Sequence, residues 1–355
     1  MQEKTLKNAV ETRVQYLDIL RALAIFAVIM NHTYGYFSIE NFNLYKGSTI
    51  FYLDNFLVSI SRFDVPIFFM ISGAILLNNK NNMSLKYLFK KRILKILIPF
   101  MIWNLFYIIV FCYIKDLNIL KEFIGSIFSP RTYSGHLWYL YTLLSIYLIL
   151  PVIDSFISKA NNKMIDYILI LWLIFSCIIP LVNHFVSKVQ IQYYADLNIL
   201  GGYLGYYILG YRLSKTKKIF NEKILFTCFI LATCFTFFIG CFYQNIIGHK
   251  DVFFQSFLTP NVIMMSATIF LFFKQFNNKL IEKYIKMISD ISKLSFGIYL
   301  VHFLFKDLII FLFNRYNINP YIYLIFSPIL VFILSYLLTK IISKLKISKY
   351  LIGVK

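Results

Sequence analysis

Ten apolar runs, most of them about 20 residues long, follow one another along this chain, at residues 16–37, 54–78, 93–114, 136–154, 165–186, 197–213, 224–243, 256–273, 294–313 and 321–342. Wound as an α-helix, a run of that length spans the ~30 Å hydrocarbon core of a bilayer, where only helices and closed barrels satisfy their own backbone. The pattern predicts an all-α, polytopic membrane protein with about ten transmembrane helices. Composition agrees: 59% of residues are hydrophobic and 15% charged, against about 45–50% and about 25% in soluble domains. The connections lack linker composition and little chain follows residue 342, so residues 1–355 are expected to form a single transmembrane domain with no appended soluble domain.

A net charge of +20 would suggest nucleic acid in a soluble chain. Here the Lys and Arg residues fall between apolar runs and act as topology signals, so nucleic acid is not an expected partner. With the N-terminus inside, about 26 of them lie in inner segments and about nine in outer ones, a bias that predicts both termini to be cytoplasmic. Five cysteines in apolar runs, without metal-site spacing, read as small core residues. The first run is long, contains Arg21, Asn31 and His32, and lacks a cleavage site after it, so it reads as a retained helix rather than a signal peptide.

That first run carries the main functional candidate. Ionisable side chains inside a membrane helix cost roughly 2.5–3.5 kcal/mol on insertion scales and mark functional positions. Arg21 and His32 are eleven residues apart, about 1100° of helix, so they share one face to within about 20° and are offset by about 16 Å along the axis. In the inside-first orientation Arg21 lies near the inner end and His32 in the outer third.

Other polar features border the remaining runs. Arg62 and Asp64, ahead of Pro66, either orient an imidazole or anchor the helix at the interface. Ser72-Gly73 reads as small-residue packing ahead of a nucleophile. Lys90-Lys91-Arg92 with Lys95 reads equally as a topology signal and as an anion clamp, Arg92 and Lys95 being one turn apart. His136, beside Trp138 and Tyr139, could exchange a proton with an acceptor hydroxyl. His302 falls at mid-membrane depth with Tyr299 one turn before it, and is either a functional imidazole or one satisfied by a neighbouring carbonyl. The outer connections 38–53 and 115–135 are long and rich in aromatic, Asn and Ser residues; an ordinary interfacial loop explains them better than a carbohydrate surface. Phosphate-loop, His-Glu-x-x-His and Gly-x-Ser-x-Gly signatures are missing, so nucleotide hydrolysis and zinc chemistry are not expected, and no metal ligand set is assigned.

Taken in order, LDILRALAIFAVIMNH, VPIFFMISGAILL, KKRILKILIPF, HLWYLYTLLSIYLILP, GYLGYYILGYRL and SFGIYLVH resemble the acyltransferase 3 family of integral membrane acyltransferases, which O-acetylate bacterial surface glycans. Each string is weak alone, but together they cover nearly the whole chain. The resemblance implies a bacterial plasma-membrane protein that takes acetyl-CoA, or another acyl-CoA, from the cytoplasm as co-substrate, with no tightly bound cofactor. It implies a glycan or lipid-linked sugar acceptor at the outer face, with separate polysaccharide-synthesis proteins as further partners. By the same resemblance His32 is the catalytic base or acyl-relay residue and Arg21 its donor-binding companion, with Arg92 in the donor clamp. Where family members often carry a second Arg three residues after the first, this chain has Lys95, which keeps the charge but not the bidentate fork. Asp64, His136, Trp138, Tyr299 and His302 remain acceptor-side or supporting candidates. The alternative on the same polar residues is a glycan or lipid-linked sugar exporter, in which Arg21 and His32 line a path and no bond is made.

Overall fold

The computed structural model describes residues 2–78, 84–129, 132–186, 202–276 and 279–353. It is 85% helical, with no strand among the described residues. In chain order the helices are α1 (Gln2–Thr33), the single turn α2 (Phe42–Tyr45), α3 (Thr49–Ser61), α4 (Asp64–Leu76), the single turn α5 (Leu85–Leu88), α6 (Leu94–Lys115), α7 (Ile119–Phe128) and α8 (Trp138–Lys159). They continue as α9 (Asn162–Leu173), α10 (Ile179–Phe185), α11 (Leu204–Lys215), α12 (Glu222–Ile247), α13 (Pro260–Gln275), α14 (Lys279–Arg315), α15 (Pro320–Ser343) and the short α16 (Ser348–Leu351). Nine segments among the described residues are long and apolar enough to cross a membrane. The run expected at 197–213 appears as α11, and its residues 197–201 lie outside the described residues.

The chain packs as two compact units interleaved in sequence. Residues 1–77, 160–292 and 309–330 make the first; residues 78–159, 293–308 and 331–355 make the second.

In the first unit the expected helix 54–78 is two helices, broken at Arg62-Phe63. Pro66 has no N–H to give the carbonyl of Arg62, the bond that would carry a helix through this point. The new helix starts on Asp64, whose Oδ1 accepts the N–H of Val65 at 2.7 Å. The end of α1 is fixed by Asp54 of α3. Gly35 turns the chain in the left-handed region (φ +85°), and Asp54 Oδ1 accepts the N–H of Gly35 at 2.9 Å while Oδ2 accepts those of Phe37 and Ser38 at 3.1 and 2.7 Å. Asp54 is fully buried; three charge-assisted bonds offset a desolvation cost that would otherwise exclude a carboxylate here. The closest packing is α4 on α11. A Cβ on Gly73 would strike the backbone of Tyr207, and one on Gly210 the backbone of Met70, the small-residue contact by which helices approach in a membrane. Ser72 bonds within its own helix, to the carbonyl of Phe68 at 2.8 Å.

The second unit is built on α6, α8 and the middle of α14. Trp103 Nε1 donates to the carbonyl of Leu351 at 2.9 Å, and Gly297 leaves room for Thr339 and Ile352. The run expected at 294–313 is part of a 37-residue helix. At 1.5 Å per residue α14 is about 55 Å long against a core of ~30 Å, so it runs beyond the hydrocarbon. Its amphipathic first half, with Lys283, Lys286, Asp290 and Lys293, keeps helical periodicity without the hydropathy that marks a span.

Candidate functional site

Arg21 lies on α1 in the first unit, held by a closed triangle of bonds. Its Nη1 donates to Ser292 Oγ at 2.8 Å and to Asp18 Oδ1 at 3.2 Å, and Ser292 Oγ donates to the same Asp18 oxygen at 2.7 Å. Asp18 is one turn before Arg21 on the same helix; Ser292 comes from α14. The triangle fixes the rotamer of a side chain that would otherwise lose about 2 kcal/mol of rotamer entropy when a ligand ordered it. The Arg21 side chain keeps 26% of its surface exposed, which leaves it open to an anion.

His32 is in the last turn of the same helix, half-buried. Its neighbour Asn31 donates from Nδ2 to Asp64 Oδ2 at 2.9 Å. Asp64 thus braces α1 beside His32, through Asn31. The α3–α4 break places Arg62 beside it, with Nη2 donating to Gln255 Oε1 at 3.4 Å and the guanidinium 5.6 Å from the ring centre of Phe257. Gln255 Nε2 donates to Asn55 Oδ1 at 2.6 Å, next to Asp54. Asp64 and Asp54 thus hold the chain on either side of His32, at Asn31 and at Gly35–Ser38, and a bonded run of Arg62, Gln255 and Asn55 connects the segments that carry them. Aromatic packing closes the turn beyond it: Tyr323 donates to the carbonyl of Thr33 at 3.1 Å, and Phe37 packs edge-on against Phe313 and Tyr323.

The second unit holds the other sequence candidates. Lys90, Lys91 and Arg92 lie in a π-helical turn, Phe89–Ile93, ahead of α6, a wide turn that recurs at functional positions. Lys90, Lys91 and Lys95 are exposed. Arg92 is half-buried, 5.8 Å from the ring centre of Tyr87, with its Nε buried and not hydrogen-bonded. His136 precedes α8 in a 3-10 turn and is buried. The structure brings it to His302, with ring centres 5.3 Å apart, and stacks it on Phe303 at 4.0 Å. Tyr299 donates to the carbonyl of His136, and His302 Nδ1–H donates to the carbonyl of Tyr299 at 2.6 Å. Tyr107, 5.1 Å from His136, donates to the carbonyl of Leu300 at 2.7 Å. Trp138 opens α8 beside this cage.

Both stations on α1 occur within a chain whose residues 14–343 match the sequence profile of the Acyltransferase domain family, acyltransferase type 3. The chain belongs to the acyltransferase 3 family. Proteins similar to this acyltransferase 3 chain include the probable poly-beta-1,6-N-acetyl-D-glucosamine export proteins of Staphylococcus aureus strains MRSA252, MSSA476 and N315. Each is 24% identical over 349 residues, 95% of this chain and 95% of the relative. No solved structure matches the chain.

Several residues of this candidate site were not singled out in the sequence. Asp54 was legible as a carboxylate within an apolar run. Asp18 was legible as an acid one turn from Arg21. Asn31 was legible only as a polar interruption of the first run, and Ser292 and Gln255 carried no signal, being uncharged residues made relevant only by what packs against them.

Proposed function

We propose that this membrane acyltransferase is an O-acetyltransferase that moves acetyl from cytoplasmic acetyl-CoA to a hydroxyl of a cell-surface or lipid-linked glycan. The observation that carries the reading is the single face of α1 bearing a pre-oriented Arg21 and, about 16 Å further along, a half-buried His32. The reaction has a donor that is cytoplasmic and hydrated and an acceptor that is outside. In this reading both termini are cytoplasmic and the membrane is the bacterial plasma membrane. Arg21 meets the anionic half of the donor at the inner side, and the thin pantetheine arm reaches outward to His32. There a neutral imidazole takes the proton of the acceptor hydroxyl as its oxygen attacks the thioester carbonyl. The carbon–sulfur bond breaks, the thiolate takes the proton back from the imidazolium, and free CoA and an acetyl ester leave. General-base catalysis of this kind is worth about 10² to 10⁴ in rate. An acyl-histidine intermediate would use the same residue in two steps. Arg92 and Lys95 are assigned to donor phosphates as a separate element of the proposal, tested on its own below.

The name of the staphylococcal relatives favours a second reading, export of a glycan without acyl transfer. The two part on one measurement. Purified protein in vesicles, given acetyl-CoA and a glycan acceptor, releases free CoA and yields an acetylated glycan by mass spectrometry under the first reading. Glycan movement with neither product would establish the second.

A further inference from the structure

The side of α1 that faces away from Arg21 and His32 borders a cavity of about 360 Å³ inside the first unit. Its α1 wall is Leu23, Phe26, Ala27 and Met30. At about 100° per residue these four centre about 180° from the direction shared by Arg21 and His32. The other walls come from the α3–α4 break, the first turns of α12 and the second half of α13. Apart from Ser61 and Thr268, every side chain there is apolar: aliphatic, aromatic or the thioether of Met30. Both hydroxyls are turned to their own helices: Ser61 Oγ donates to the carbonyl of Val58 at 2.8 Å, and Thr268 Oγ1 to that of Met264 at 2.8 Å. An occupant therefore finds no side-chain hydrogen bond. Buried water needs about two to four polar partners, and a sugar or phosphate needs more, so neither suits this site.

Something apolar can reach it. Phe226 in the wall is 58% exposed, and Ile224 and Leu231 on the same helix are 59% exposed. This helix is apolar enough to span the membrane, so the medium at its exposed side chains is lipid chain. Along α1 the wall covers eight residues, about 10 Å, centred on the middle of the first run, at the depth where lipid chains end. A short apolar cavity at that depth takes the terminal part of an acyl chain rather than a polar headgroup. The acyl group of the donor is a poor occupant, because it would have to pass from one side of α1 to the other.

We propose that this cavity binds one acyl chain of a bilayer phospholipid, directly behind the helix that carries Arg21 and His32. The chain completes the packing of α1 on the side where protein side chains leave a void, and so supports the position of both polar stations.

The test uses the full-length protein in phosphatidylglycerol–phosphatidylethanolamine vesicles doped with a phosphatidylcholine whose acyl chain ends in a diazirine. After irradiation, mass spectrometry should find adducts at Leu225–Phe229 and Thr268–Phe273 about tenfold above those at the lipid-exposed stretch 325–330 of α15, the ratio expected of a site favoured by one decade. Ala27→Phe, which fills the cavity, should remove that excess and leave the α15 adducts unchanged. Where that variant inserts poorly, the milder Ala27→Leu, which fills less of the cavity, should lower the excess in part and leave the α15 adducts unchanged. Even labelling in the wild type would overturn the proposal, as would an excess that survives Ala27→Phe in inserted protein. A diazirine-bearing isoprenyl phosphate that labels the cavity in place of the phospholipid would overturn it too.

Discussion

His32 in the first unit and the two histidines of the second share a chemistry and differ in access. His32 is half-buried at the end of α1, framed by Asn31, Asp64 and the turn that Asp54 holds. His136 and His302 are 2% and 0% exposed inside a cage of Tyr107, Tyr299 and Phe303, with the His302 ring locked onto the carbonyl of Tyr299. A general base has to come within hydrogen-bond reach of the proton it removes. A ring walled in by aromatics cannot do this for a glycan without opening the cage. Burial therefore suits the pair to tying the turn before α8 to the middle of α14, and under the proposed function it leaves the chemistry to His32.

The comparison breaks most readily at His32 and His302. His32→Ala should lower CoA release by about 10² to 10⁴ with insertion unchanged, and His32→Gln should do the same despite keeping much of the size. His302→Phe should cost about 1–3 kcal/mol of stability, seen as lower folded yield, with turnover per folded molecule close to wild type. Loss of turnover per molecule in His302→Phe, together with an active His32→Gln, would reverse the assignment. The next effect in size concerns the other end of α1. Arg21→Ala should reduce kcat/KM for acetyl-CoA about tenfold to a hundredfold, since bonds to a charged group are worth about 1.5–3 kcal/mol. Ser292→Ala should be milder and show mainly in donor KM, because it loosens the guanidinium without removing it.

Smaller effects sharpen the frame around His32. Asp54→Asn should destabilise the first unit by about 1–3 kcal/mol, read as a lower midpoint in thermal unfolding in detergent, because three backbone N–H groups lose a charged acceptor. If the turn positions His32, turnover falls in the folded fraction as well; an unchanged rate would limit Asp54 to stability. The smallest effect is expected at the π-helical turn of the second unit. Arg92→Gln should raise the apparent KM for acetyl-CoA about twofold to fivefold, the range of a partly exposed ion pair. An unaltered KM in well-inserted protein would leave Arg92 with a topology role alone.

The sequence by itself determined the class of the protein, the approximate positions of its spans, the shared face of Arg21 and His32, and the family. These follow from hydropathy over about 20 residues and from an eleven-residue spacing, both local properties of the chain. Local periodicity also misled where two signals overlapped. One apolar run hid the break at Arg62-Phe63, although Pro66 marked it, and the polar first half of α14 hid a helix that extends past its hydrophobic span. The tertiary structure alone decided which polar groups meet. Ser292 reaches Arg21 from 271 residues away, and Asp64 reaches Asn31 from 33; His136 and His302 were separate candidates until packing set them ring against ring. The cavity behind α1 has no sequence signature either, since Leu, Phe and Ala read alike whether they fill a core or line a void. The physical reason is common to all of these. A residue's own chemistry fixes what it can bond to, but in a membrane, where apolar surface is solvated almost as well by lipid as by protein, steric fit between helices chooses its partner.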